Sequence, residues 1–277
     1  MNMDLSVELM HATVQLEQPL GNGTRTVGTG FLISETTPDG QPRTVLVTAN
    51  HVFKQMPGQV ARIGYRIANI DGSWSYSPQP LHIRDSGGKE LWTRHPARDV
   101  AAIVISAPPE FAKAAIPKDY LASDDTFTKY QVEAGDELMA LGFPRGLAAN
   151  QAGFPILRSG RIASYPVAPA KIFPTFLLDF SVFPGNSGGP VFMHGARRTP
   201  TGAAQIPQNV EFIAGLLTQQ VELNNERLEI GIVTHAKYIR ETIDLVDNPA
   251  APVTVTAATE PVTGVRAASA EEAATPN

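Results

Sequence analysis

Residues 185–190 read Gly185-Asn186-Ser187-Gly188-Gly189-Pro190. An acyl-transfer serine needs an exposed hydroxyl on a tight bend, and glycine permits the backbone conformations such a bend demands. It also needs backbone N–H groups aimed at the oxyanion that forms on attack. Gly185 and Ser187, on either side of Asn186, are placed to be those two donors. The competing reading is a plain surface loop, because Gly, Asn, Ser and Pro are ordinary turn residues. The surroundings decide between the two.

Residues 44–53 read Thr-Val-Leu-Val-Thr-Ala-Asn-His-Val-Phe. Val45, Leu46 and Val47 form an apolar run of strand type, and His51 follows where that strand gives way to a turn. Taken by itself, a lone histidine there is more often a satisfied strand-end residue. Residues 95–105 read His-Pro-Ala-Arg-Asp-Val-Ala-Ala-Ile-Val-Ile, a polar turn ending at Asp99 and then a β-branched strand. A simple turn role is again the plain alternative. Together the chain offers His51, Asp99 and Ser187 in that order, each at the border of an apolar strand.

That order is the one used by chymotrypsin-type proteases, and subtilisins and α/β-hydrolases use others. The local contexts match as well. Gly28-Thr29-Gly30-Phe31-Leu32-Ile33-Ser34 resembles the strand these proteases carry before the histidine. Thr48-Ala49-Asn50-His51 resembles Thr-Ala-Ala-His, Asp99-Val100-Ala101 resembles Asp-Ile-Ala, and Gly185 to Pro190 resembles Gly-Asp-Ser-Gly-Gly-Pro. The chain thus resembles the trypsin-like serine proteases over residues 20–247. Within them it is similar to the bacterial HtrA/Deg group. Asn186 stands where digestive proteases carry the aspartate that pairs with a new N-terminus, and no internal Ile-Val-Gly-Gly start is present. Leu141-Gly142-Phe143-Pro144-Arg145-Gly146 resembles the group's Gly-Asn-Pro-Phe-Gly segment, and Arg158 to Ser164 its Ser-Gly-Ile-Val-Ser strand. HtrA proteases carry PDZ domains after the protease, whereas residues 248–277 are too few for one.

The resemblance implies roles. Ser187 is the nucleophile, His51 the general base, Asp99 the residue that orients the imidazole, and the Gly185 and Ser187 N–H groups the oxyanion hole. It implies a primary substrate pocket floored by Ser181, with Val182 and the strand Thr218-Gln219-Gln220 as neighbours. Because none of these is charged, cleavage after small or medium apolar residues is expected. Asp179 and Glu229 are the carboxylates that would reverse this if turned inward, and solvated strand-edge charges are the alternative. Thr218 occupies the place of a serine whose hydroxyl touches the catalytic aspartate, or is simply a β-branched strand residue. Asp85, Asp124 and Asp125 are weaker candidates for the acid, since none directly precedes an apolar strand. His11, His82, His95, His194 and His235 read as solvated or loop histidines, too dispersed for a zinc site. No metal and no organic cofactor is expected.

Short apolar runs punctuated by Gly and Pro recur at 28–34, 44–48, 62–68, 80–84, 90–92 and 99–106. They recur again at 137–142, 156–164, 175–181, 190–193, 212–219 and 229–234. This spacing favours an all-β barrel or sandwich. The expected fold is two six-stranded antiparallel β-barrels of chymotrypsin type with a short C-terminal helix. Residues 1–125 would hold the first barrel and linker, 126–247 the second barrel and helix, and 248–277 a disordered tail. The site would lie between the barrels, with His51 and Asp99 from the first and Ser187 from the second.

Composition narrows the classes. The 277 residues contain no cysteine, which excludes disulfides and thiolate chemistry. The net charge of −5 and the lack of a basic block argue against nucleic acid. No apolar run approaches a membrane span, and residues 1–20 show no leader-type apolar core. A protein or peptide substrate is expected, in a cytoplasmic setting, and oligomeric state is left open. Two other functions share these features: a protease fold that binds peptides without cleaving them, and a hydrolase of small esters.

Overall fold

The computed structural model describes residues 4–21, 23–197, 208–223, 226–247 and 266–267. Helix α1 (Leu5–Ala12) opens the chain, capped by Asp4, whose carboxylate accepts the Ser6 N–H at 2.8 Å. Strands β1 (Thr13–Pro19), β2 (Arg25–Thr36) and β3 (Pro42–Thr48) follow as an antiparallel meander. The short helix α2 (Asn50–Lys54) carries His51. Strands β4 (Val60–Ala68), β5 (Trp74–His82), β6 (Thr93–Arg94) and β7 (Ala101–Ile105) complete the first sheet, in the order β5-β4-β1-β2-β3-β7-β6. An Arg84–Glu90 bridge and the Leu91 N–H bond to Ile83 O draw its two ends together.

The connecting stretch is more structured than the linker expected from residues 107–130. It holds α3 (Pro109–Ala114), β8 (Ile116–Pro117), which pairs with β2, and α4 (Asp124–Lys129). The expected boundary at 125/126 falls inside α4. Strands β9 (Glu137–Gly142), β10 (Ile156–Ile162), β11 (Thr175–Asp179), β12 (Pro190–Arg197), β13 (Gln208–Leu223) and β14 (Glu226–His235) form the second sheet. Their order is β12-β9-β10-β11-β14-β13, and pairing of β12 with β13 closes the six strands into a barrel. Closure leaves no open edge, which protects strands this long from pairing with other chains.

Helix α5 (Ala236–Asp247) buries Tyr238, Ile239, Ile243 and Leu245 and packs on β7 and β13, one strand from each sheet. One continuous apolar cluster runs through both sheets. The residues expected as a disordered tail lie outside the described residues, except for β15 (Arg266–Ala267), which pairs with β13. Among the described residues no helix is long and apolar enough to cross a membrane.

Candidate active site

The turn before β12 is built from its glycines. Gly185 and Gly188 have φ of +94° and +90°, a region that only glycine occupies without strain. A Cβ on Gly185 would stand 2.3 Å from Phe143 O, one on Gly188 2.0 Å from Thr29 O, and one on Gly189 2.0 Å from Leu141 O. No side chain fits at any of the three. Gly188 also abuts Thr48 Oγ1 and the Ala49 N–H, two residues before His51. The second barrel's serine turn therefore presses against the end of the first barrel's β3.

Each peptide plane of the turn is held. Arg145 N–H donates to Pro184 O at 2.6 Å, and Gly189 N–H to Asn186 O at 3.1 Å. In a trans peptide the N–H points opposite to the C=O. These two bonds therefore turn the Gly185 N–H away from Arg145 and the Ser187 N–H away from Gly189. Neither N–H donates to a partner among the described residues. The other two planes are fastened by one residue of the first barrel. Thr29 N–H donates to Ser187 O at 2.9 Å. Its fully buried hydroxyl donates to Gly185 O at 2.6 Å and accepts the Phe143 N–H at 3.1 Å. Thr48 Oγ1 in turn donates to Thr29 O at 2.7 Å.

His51 is held by one carboxylate at two points. Its backbone N–H donates to Asp99 Oδ1 at 2.9 Å, and its Nδ1 lies 2.5 Å from Asp99 Oδ2. A carboxylate at Nδ1 fixes that nitrogen as the N–H and leaves Nε2 as the free base. Asp99 sits in a three-residue turn closed by Val100 N–H to Arg98 O. The turn is anchored to α5: the Arg98 guanidinium lies 5.1 Å from the Tyr238 ring centre, and His95 Nε2 meets Glu241 Oε2 at 3.0 Å. His95 Nδ1 accepts the Ala97 N–H, so its proton is on Nε2, directed at Glu241. Far from being a solvated loop histidine, His95 is 3 % exposed.

The Ser187 hydroxyl donates to Thr218 O at 3.2 Å, and no hydrogen bond joins it to His51 among the described residues. Thr218 is the extra residue of a bulge between Leu217 and Gln219, which tilts its carbonyl toward the serine. Its hydroxyl donates to Ile232 O at 3.1 Å and lies 3.4 Å from Thr234 Oγ1, and no hydrogen bond joins it to Asp99 among the described residues. Of the two readings of Thr218, the structure supports the strand residue. Ser181 and Gln219 are half-buried, and Gln220 lies opposite Gly231 in the sheet. Val182 is buried and packs onto Gly231, where a Cβ would stand 2.9 Å from its Cγ2. Asp179 and Glu229 are both exposed. His235 also departs from expectation: it is wedged 5.0 Å from both Phe127 and Phe176, and burial pushes its pKa down to about 4.

Asp85, Asp124 and Asp125 are not joined to His51. Asp85 caps its own loop at Gly87 and Lys89, and Asp124 accepts the Ala170 N–H. Among the described residues no cluster of His, Asp and Glu is arranged to hold a metal ion. Thr29 and His95 are the contributors that sequence reasoning missed. The only trace of Thr29 in the sequence is its place between Gly28 and Gly30.

Two barrels joined through a glycine-built serine turn, with a carboxylate-held histidine on the first of them, define a peptidase of the two-barrel class. Residues 28–197 match the trypsin-like peptidase domain, and the chain belongs to that family of proteases. No curated protein matches the sequence. Among solved structures, the HtrA-type protease AlgW with tripeptide is 16 % identical with a TM-score of 0.52, over 88 % of this chain and 63 % of that one. The chain therefore spans less than two thirds of AlgW. The active form of the Rv3671c protease from M. tuberculosis is 17 % identical with a TM-score of 0.49, covering 87 % and 82 %. The protease Anisep from Arthrobacter nicotinovorans is 14 % identical with a TM-score of 0.48, covering 84 % and 93 %. At these identities the likeness is one of fold.

Proposed function

We propose that this chain is a serine endopeptidase that cleaves peptide bonds through an acyl-enzyme on Ser187. The observation that carries the reading is the grip of Asp99 on His51 through both carboxylate oxygens. Such a grip has little use in a plain loop and is what a general base requires. For attack, the Ser187 hydroxyl leaves Thr218 O by rotation about χ1 and turns to His51 Nε2. His51 takes the proton as Ser187 Oγ bonds to the substrate carbonyl carbon. The Gly185 and Ser187 N–H groups receive the oxyanion. His51 then protonates the departing amine, and water repeats the sequence on the acyl-enzyme. Asp99 stabilises the imidazolium throughout.

The acyl side of the substrate is assigned to Thr218, Gln219 and Gln220, with the leading side chain directed at Ser181 and Val182. A small apolar residue suits that pocket, since Asp179 and Glu229, the two carboxylates that could serve a buried cation, are exposed. Ser187→Ala tests the reading. It should leave the fold intact and remove roughly six orders of magnitude in turnover on an unfolded protein such as casein, by comparison with nucleophile knockouts elsewhere. Wild-type cleavage by the variant would overturn it. Comparing peptide with small-ester rates in the same preparation separates the endopeptidase from an ester hydrolase, and inertness toward both would favour a peptide-binding module.

A further inference from the structure

Strand β12 begins directly after the nucleophile turn and has β13 on one side and β9 on the other. The β13 side, at the Thr218 bulge, is the one assigned above to the acyl half of the substrate. The departing half then runs across the opposite flank, beside the loop that leaves β9. There stands Arg145, whose N–H holds Pro184 O one residue before Gly185. It does so at φ +52°, an unusual conformation for a residue with a Cβ. Its side chain is exposed, and its guanidinium lies 5.7 Å from the Phe183 ring centre. Arg158, projecting from β10, lies 5.4 Å from the same ring and 5.5 Å from that of Phe180.

Two guanidiniums share one aromatic ring four residues before the nucleophile. No carboxylate among the described residues forms an ion pair with either. Stacking on a ring restrains a guanidinium and leaves its edge N–H groups free. Those edges match a carboxylate in paired, fork-to-fork geometry. The cationic pair also stands out on a chain of net charge −5. We infer that Arg145 and Arg158, carried on Phe183, form an anion-recognising subsite for the part of the substrate C-terminal to the cleaved bond. The ligand is a carboxylate, either of an Asp or Glu side chain or of the peptide's own C-terminus. The inference rests on the proposed role of Ser187 and names part of that site's substrate class.

The test uses peptides with one acyl half and different departing halves: neutral with an amidated end, Asp- or Glu-bearing with an amidated end, and neutral with a free acid. Rates are normalised to an acyl-coumarin amide that has no departing residues. The wild type should favour one or both carboxylate series by about five- to tenfold in kcat/KM at low salt, the range two partly exposed ion pairs supply. Which series is favoured identifies the source of the carboxylate. The ratio should fall to near one in the Arg145→Gln/Arg158→Gln double variant, invert in the double Glu variant, and shrink at high salt. No preference in the wild type, or a preference that survives the double Gln change, overturns the subsite. If the wild type cleaves nothing, the Ser187 reading has failed, and fluorescence anisotropy of the same labelled peptides decides the subsite. Tighter binding of the carboxylate peptides that is lost in the double Gln variant upholds it, and equal binding refutes it.

Discussion

Thr29→Val tests how the oxyanion hole is held. Valine keeps the size of the side chain and the backbone N–H bond to Ser187 O, but removes the hydroxyl. Two buried groups lose their partner: Gly185 O, now bonded at 2.6 Å, and the Phe143 N–H, now bonded at 3.1 Å. Each unpaired buried group costs about 1–3 kcal/mol, so the fold should lose roughly 2–6 kcal/mol by denaturant titration. The larger consequence is for chemistry. The peptide plane next to Gly185 is no longer fixed, and removal of one oxyanion donor costs about 100- to 1,000-fold in kcat. A loosened pair should cost about 10- to 100-fold. The loss should fall on kcat with KM changed less than about threefold, because the oxyanion exists only after attack. Initial rates are read well below the melting temperature, with the folded fraction checked by circular dichroism. Thr29→Ser, which keeps the hydroxyl, should recover most of the rate. A Val variant that loses stability but keeps kcat, or a Ser variant as slow as Val, would refute the positioning role.

Further outcomes follow from other parts of the molecule. Val182→Ala frees space over Gly231 and should move the cleavage preference from Val and Ala toward Leu and Met by about tenfold, one methylene being worth 1–3 kcal/mol in such a pocket. A peptide-library digest reads this, and predominant cleavage after Arg or Lys would show the pocket to be misassigned. Full-length protein should be active without N-terminal processing, because β1 lies between β4 and β2 in the first sheet. Deleting residues 1–24 should unfold the barrel, and an intact-mass spectrum showing activity only in a species starting near Arg25 would contradict this. His235 has a folded pKa of about 4 against 6.5 unfolded, so the unfolded chain binds the extra proton between those values. Its contribution is present above pH 6.5 and should decline by ~2 kcal/mol on acidification to pH 5. His235→Phe should flatten that part of the stability–pH curve, and an unchanged slope would exclude His235 as its source.

The three candidate catalytic residues could be read in the sequence because the chemistry dictates their neighbours. Glycine is required wherever the serine turn approaches another backbone, and strand runs end where side chains must emerge. Strand β1 could not be read. Its buried positions include Thr13, Gln15, Glu17 and Gln18, which hide the apolar pattern. Two of them find distant partners: Gln15 donates to Gly146 O, and Gln18 pairs with Gly58 and Val60; Glu17 pairs with Arg25 on the adjacent strand. The run at 90–92 looked like a strand because Trp92 is apolar. It instead packs 5.2 Å from Phe53 and donates its indole N–H to Asn50. His95 and His235 are polar in sequence and buried in the fold, the first paired to Glu241 and the second caged by phenylalanines. Thr29 to Gly185 spans 156 positions, a contact that only closure of one barrel onto the other creates.

The central claim is that Ser187 is a nucleophile activated by His51. The most direct measurement is labelling of the native protein with a fluorophosphonate, followed by proteolysis and mass mapping of the adduct. One phosphonate per chain should appear, on Ser187, and its rate should collapse in His51→Ala while Ser181 and Ser159 stay unmodified. An unlabelled Ser187 in folded protein, or labelling that is indifferent to His51, would contradict the account.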